Sequence, residues 1–379
     1  LFAFRFFLHS LLAFLEDYRS DDEKEGVMRL SSHMLMVISY SLFLVISFSF
    51  VTLASVSPDL LVNAFMFIVG GILLSLNCRN RNSQHSSLGL FLVLGVALGF
   101  GYLTKAFIFP LAFVIFFAAL WAQKTSWKNA GGIAVACAIF FFISAPWITA
   151  ISLVKGRFTF GESGKLTYAW HVNGVRLHTH WQGEEKMFGA PIHPSRVINA
   201  QPPAYEFRGP IHGTFAPWYD PSYWYEGVQS HFTFGNQLSS LYRNGRILYE
   251  TLVTFQVWSV VIGFAIATLL WRRALRLRDA MRVGILFFSA AAGIVAYLFV
   301  LIQARYVAPF VLFFFFAWVS LIRIPHDNFG REATRSIIAI ITIMLMFNLA
   351  ISTSAKFTQG FTYEHVQAAE ELMRVGIRA

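Results

Sequence analysis

The 379-residue chain is 56% hydrophobic and only 13% charged, against roughly 25% charged in an average soluble domain. Its 41 phenylalanines include runs at Phe140-Phe141-Phe142 and Phe313 to Phe316, which a water-facing surface tolerates poorly. The formal charge of +10 is spread over short links between apolar runs with no continuous basic patch, so nucleic acid is excluded as a partner.

Stretches able to cross roughly 30 Å of hydrocarbon fall at 1–15, 33–56, 60–77, 88–104, 107–122, 130–153, 249–271, 283–302, 307–322 and 336–354. The first is short and carries Arg5 and His9. The chain opens at Leu1, already apolar, with no basic region ahead of a cleavage site; a signal peptide is not expected, and a missing N-terminal portion is. Cys78 falls in a basic link and Cys137 in an apolar run, so no disulfide is expected between them.

Arginine and lysine set the orientation. The links with Arg79 and Arg81, Lys124 and Lys128, Arg272 to Arg282, and Arg323 to Arg335 share one side. Those around Pro58-Asp59, Thr104-Lys105 and Gln303-Ala304-Arg305 share the other. The first set is cytoplasmic by the positive-inside rule. Residues 154–246 then form one large extracytoplasmic loop, rich in Pro, Trp and His and without a spanning run; that composition predicts an ordered loop lying on the membrane. The expected fold is an all-α polytopic membrane protein with about ten transmembrane helices. Residues 1–153 hold about six of them and 247–354 about four, and 355–379 end outside with an amphipathic helix around Glu364 to Val375.

Three outer links carry polar side chains. Asp59 either caps the helix it opens or faces an outer cavity, where it would bind a hydroxyl or assist proton transfer. Lys105, between two apolar runs, either snorkels to the interface or meets a phosphate-bearing ligand. Arg305-Tyr306 anchors the interface or holds a phosphate or pyrophosphate. One acid and two cations at a single membrane level favour the functional readings.

The loop adds weaker candidates. Glu162 lies in Gly161-Glu162-Ser163-Gly164-Lys165, which lacks P-loop spacing; His171 follows in Tyr168-Ala169-Trp170-His171. Trp218, Tyr219 and Asp220 belong to Pro217-Trp218-Tyr219-Asp220-Pro221-Ser222-Tyr223-Trp224-Tyr225, whose rings suit a sugar, a lipid interface or packing onto the membrane domain. His178 and His180 with Glu184 and Glu185 are a weak metal pattern, and no cofactor is expected. No soluble catalytic motif occurs.

Ser57-Pro58-Asp59-Leu60-Leu61, Gly99-Phe100-Gly101-Tyr102-Leu103-Thr104-Lys105 and Arg305-Tyr306-Val307-Ala308-Pro309-Phe310, in this order, resemble the GT-C class of membrane glycosyltransferases. Within that class the chain more nearly resembles the bacterial branches related to protein O-mannosyltransferases, aminoarabinose transferases and rhizobial lipopolysaccharide core transferases. The resemblance spans roughly residues 1–325. It implies a bacterial inner-membrane enzyme that transfers a sugar from a polyprenyl-phosphate or polyprenyl-diphosphate donor to a glycan, lipid or protein acceptor on the outer face. Membrane lipids would surround it, and no cofactor would be needed. In that family a carboxylate after the first span normally acts as base; here its place would lie upstream of Leu1. By resemblance Asp59 is a supporting acid, Lys105 matches a Thr-Lys passage, and Arg305 and Tyr306 hold donor phosphate. The competing readings are a lipid-linked glycan ligase or polymerase, and a transporter or flippase for a lipid-linked sugar.

Overall fold

The computed structural model describes residues 1–24, 29–51, 57–81, 88–122, 127–176, 181–183, 186–201, 203–206, 221–254, 277–322, 328–358, 370–371 and 373–374. Helices dominate: α1 (Phe2–Lys24), α2 (Ser32–Val45), α3 (Asp59–Arg81), α4 (Leu88–Thr104), α5 (Ile108–Ala122), α6 (Trp127–Lys155), α7 (Ser163–His171), α8 (Pro221–Trp224), α9 (Phe234–Thr254), α10 (Leu277–Leu298), α11 (Ala304–Ser320) and α12 (Asn328–Thr358). One antiparallel hairpin, β1 (Arg196–Ala200) with β2 (Pro203–Glu206), is the only sheet among the described residues.

Ser32–Phe50, Asp59–Cys78, Ala130–Lys155 and Asn328–Ile351 are long and apolar enough to cross a membrane. Leu88–Thr104, Ile108–Ala122, Val283–Leu298 and Ala304–Ser320 are apolar but shorter, since a helix needs about 20 residues to traverse the hydrocarbon core. The stretch expected at 1–15 is a longer helix, α1. Most of 249–271 lies outside the described residues, as does most of the C-terminal helix expected around Glu364.

Aromatic packing holds the bundle together. Phe4, Phe7, Leu11 and Phe14 recur every three or four residues along α1 and are buried, giving one apolar stripe that α3 covers. Phe4 stacks on Phe43 with ring centroids 4.2 Å apart, and Phe7 stacks on Phe313 at 5.3 Å. These offset rings tie α1, α2 and α11 into a single cluster. Between α4 and α6 the backbones meet without intervening side chains: a Cβ on Gly95 would lie 2.5 Å from the Ala136 carbonyl oxygen.

Two features depart from a bundle of regular helices. Ser31 caps α2, its hydroxyl accepting the Met34 N–H at 3.3 Å, but the far end of α2 unwinds into a π-helical turn, Ile46–Phe50, as short π segments do near functional sites. The 154–246 segment is partly helical. Leu166, Ala169, Val175, Trp181, Phe188, Trp224, Tyr225 and Val228 form a separate small core there, and α9 begins at Phe234, inside the expected loop. Its polar face, Gln237 and Asn244 two turns apart, donates to the Phe299 and Leu298 carbonyls at 2.7 and 2.8 Å. Those bonds satisfy the end of α10 and fix the link that carries Arg305.

Candidate functional site

The first residue of α3, Asp59, is only 2% exposed. Ser57 opens the helix by accepting the Asp59 N–H at 3.4 Å, and Pro58 offers its carbonyl to the N–H groups of Leu61 and Val62 at 3.0 Å each. With Ser57 acting as the cap, the Asp59 carboxylate is left to other partners. Its Oδ1 lies 2.8 Å from Lys105 Nζ, and its Oδ2 accepts the Ser57 hydroxyl at 2.9 Å and sits 3.3 Å from Arg305 Nε.

Lys105 belongs to the link between α4 and α5, and Arg305 to the first turn of α11 after the α10 link. Arg305 Nε is steadied by Gln303 Oε1 at 2.9 Å. Lys105 Nζ rests 3.4 Å from the centroid of the Tyr306 ring and 5.6 Å from that of Tyr297. The two phenol rings stack at 5.2 Å, and Tyr297 stacks in turn on Phe107 at 4.1 Å. A desolvated ammonium over an aromatic face is attracted by the ring quadrupole. Pro309 lies inside α11 and lacks the N–H that would bond the Arg305 carbonyl one turn back.

The four strongest sequence candidates, Asp59, Lys105, Arg305 and Tyr306, therefore meet at one end of the bundle. Asp59 stands at a helix start, but Ser57 makes the cap there and the carboxylate is paired with two cations. Burial pushes the Lys105 amine down to about 8; the Asp59 charge and hydrogen bond oppose this and Arg305 adds to it. One carboxylate against two cations leaves an excess positive charge beside the Tyr306 and Tyr297 rings.

No family model, curated protein or solved structure matches this chain. What the site can do rests on its own chemistry.

A strap from the 154–246 segment crosses beside Lys105. Tyr102 donates its hydroxyl to the Phe160 carbonyl at 2.8 Å, and Phe160 stacks on Phe109 at 4.7 Å. The next residue, Gly161, has φ +149°, and a Cβ there would lie 2.8 Å from the Ala106 Cβ. Only glycine accepts both that backbone and that approach. Gly161→Val is expected to lift the strap, costing about 2–3 kcal/mol and opening residues 157–162 to protease. Unchanged proteolysis and melting would show that the strap is held elsewhere.

The other loop candidates lie apart from this cluster. Glu162 pairs with Arg157 at 2.5 Å and lines a separate cleft of about 210 Å³ with Lys155, Lys165, Tyr225 and Glu226. His171 closes α7, and its carbonyl accepts from Arg243. Trp218, Tyr219 and Asp220 lie outside the described residues, as do His178, His180, Glu184 and Glu185. Among the described residues no group of three His, Cys, Asp or Glu side chains could hold a metal ion, and no disulfide joins Cys78 to Cys137.

Sequence reasoning missed Tyr297, Phe107 and the cleft. Tyr297 and Phe107 are single rings in phenylalanine-rich runs, and nothing local separates a ring under a cation from one facing its neighbours.

Proposed function

We propose that the chain is a GT-C-type membrane glycosyltransferase that moves a sugar from a polyprenyl-phosphate or polyprenyl-diphosphate donor to an acceptor at the outer face of a bacterial cytoplasmic membrane. The about ten spans and the sidedness belong to this reading. So does the placing of the charged cluster on the outer side. The observation that carries it is the buried Asp59 holding Lys105 and Arg305, cations from two other links, at 2.8 and 3.3 Å.

An anionic leaving group fits this arrangement. In a direct displacement the acceptor oxygen bonds to the anomeric carbon, and the bond from that carbon to the phosphate oxygen breaks. The lipid phosphate leaves with the electron pair, and a base takes the acceptor proton. Lys105 and Arg305 stabilise the charge growing on the phosphate. Both Asp59 oxygens are already taken, Oδ1 by Lys105 and Oδ2 by Arg305 and the Ser57 hydroxyl, so Asp59 organises the cations and a different group serves as base. Charges at helix ends also suit outer-face chemistry better than transport, which places polar groups near the bilayer midplane on broken helices.

The test is turnover. The chain, reconstituted in nanodiscs, is supplied with radiolabelled hexose on polyprenyl monophosphate or diphosphate. Release of lipid phosphate together with glycosylated product supports the reading, whereas no release across a panel of sugars with either carrier overturns it.

A further inference from the structure

A groove of about 80 Å³ opens one helical turn from the charged cluster. The starts of α1, α3 and α11 and the π-helical end of α2 enclose it, and Phe4, Phe43, Phe67 and Pro309 form much of its wall. On the topology proposed above, all four helix ends belong to the outer leaflet. Two polar side chains line it, Ser47 and Asn63. Asn63 is 9% exposed, and its Oδ1 is buried with no hydrogen-bond partner among the described residues. It follows Asp59 by four positions, so the two share one face of α3 with Cβ atoms roughly 5–6 Å apart.

A buried amide oxygen without a donor is a standing penalty, and native structures keep few of them. A ligand that donates here removes it. The chain of a polyprenyl donor has no N–H or O–H group, so it cannot meet this need. A long-chain alcohol can: its hydrocarbon lies against the phenylalanine wall, its O–H reaches Asn63, and its oxygen can still accept from Ser47. The groove has room for the head end only, and the remaining chain would run past half-exposed Leu60 into the bilayer.

We infer that this groove binds a hydroxyl-bearing lipid, with the hydroxyl donated to Asn63 Oδ1. Such a lipid would arrive beside Asp59 with its oxygen near the cations. Its role as the acceptor rests on the glycosyltransferase reading; its binding does not.

The experiment compares two photoreactive probes, a diazirine-bearing hexadecanol and its methyl ether, on the chain in nanodiscs. The alcohol should bind about tenfold more tightly than the ether, the difference one buried hydrogen bond makes. Asn63→Leu, similar in size but without the orphan oxygen, should equalise the two probes and raise the melting temperature of the unliganded protein. Equal binding of both probes by the unaltered chain overturns the inference, as does a lower melting temperature for Asn63→Leu. Should that variant not fold, Leu60→Trp at the half-exposed rim fills the groove and should abolish labelling by the alcohol; retained labelling refutes the site. Because the assay reads binding, a chain that never releases sugar still answers it.

Discussion

Lys105→Ala is expected to lower kcat/KM for sugar transfer about 10²–10³-fold, the effect of removing one preorganised group that meets charge developing in a transition state. The loss should fall mainly on kcat, because the ammonium matters most when the phosphate leaves. Lysine also gives the site a pH signature. With its amine lowered from 10.5 to about 8, chiefly by burial, Lys105 is an ammonium below pH 8 and neutral above it. Affinity for inorganic pyrophosphate, a probe of the charged cluster, should fall as pH rises from 7 to 9. Stability moves the other way: between about 8 and 10.5 the unfolded chain binds the extra proton, so this lysine's contribution improves as pH rises through that window. An affinity flat from pH 7 to 9, with turnover in Lys105→Ala at the level of the unaltered chain, would remove Lys105 from the site.

Asp59→Asn carries the second large effect. The substitution keeps shape and deletes the charge, leaving Lys105 and Arg305 face to face. Breaking a buried ion pair from one side costs about 3–5 kcal/mol. Here the cations are 20% and 29% exposed at their side chains, so water screens part of the loss and about 2 kcal/mol is expected. Inorganic pyrophosphate should restore more stability to this variant than to the unaltered chain, because it replaces the missing counter-charge. Denaturation in lipid nanodiscs with and without pyrophosphate measures both. An Asp59→Asn protein as stable as its parent would mean that the carboxylate does not hold the two cations together.

The part of the site legible in the sequence was its level. Asp59, Lys105 and Arg305 each interrupt an apolar run, and the arginine and lysine pattern assigned all three links to one side. That they touch was not legible. Lys105 is 46 positions from Asp59, and Arg305 is further away still; contact at that separation depends on how α3, α4 and α11 pack. The strap at Gly161 was equally hidden. Its glycine stood in the sequence as part of a rejected phosphate motif, whereas its role is a close approach to Ala106.

Hydropathy by itself determined the class of molecule and the rough place of its helices. α4, expected at 88–104, occupies Leu88–Thr104, and α5, expected from 107, starts at Ile108. Burial against hydrocarbon is a property of consecutive residues, so a linear chain displays it. Tertiary structure alone decided the π-helical turn after α2, the early start of α9 and the ring of Tyr297 and Tyr306 around one ammonium. The last two depend on partners distant in sequence: the carbonyls at the end of α10 satisfied by Gln237 and Asn244, and two aromatic faces brought to a single cation. Attraction at that range acts between surfaces that exist only after the helices have packed.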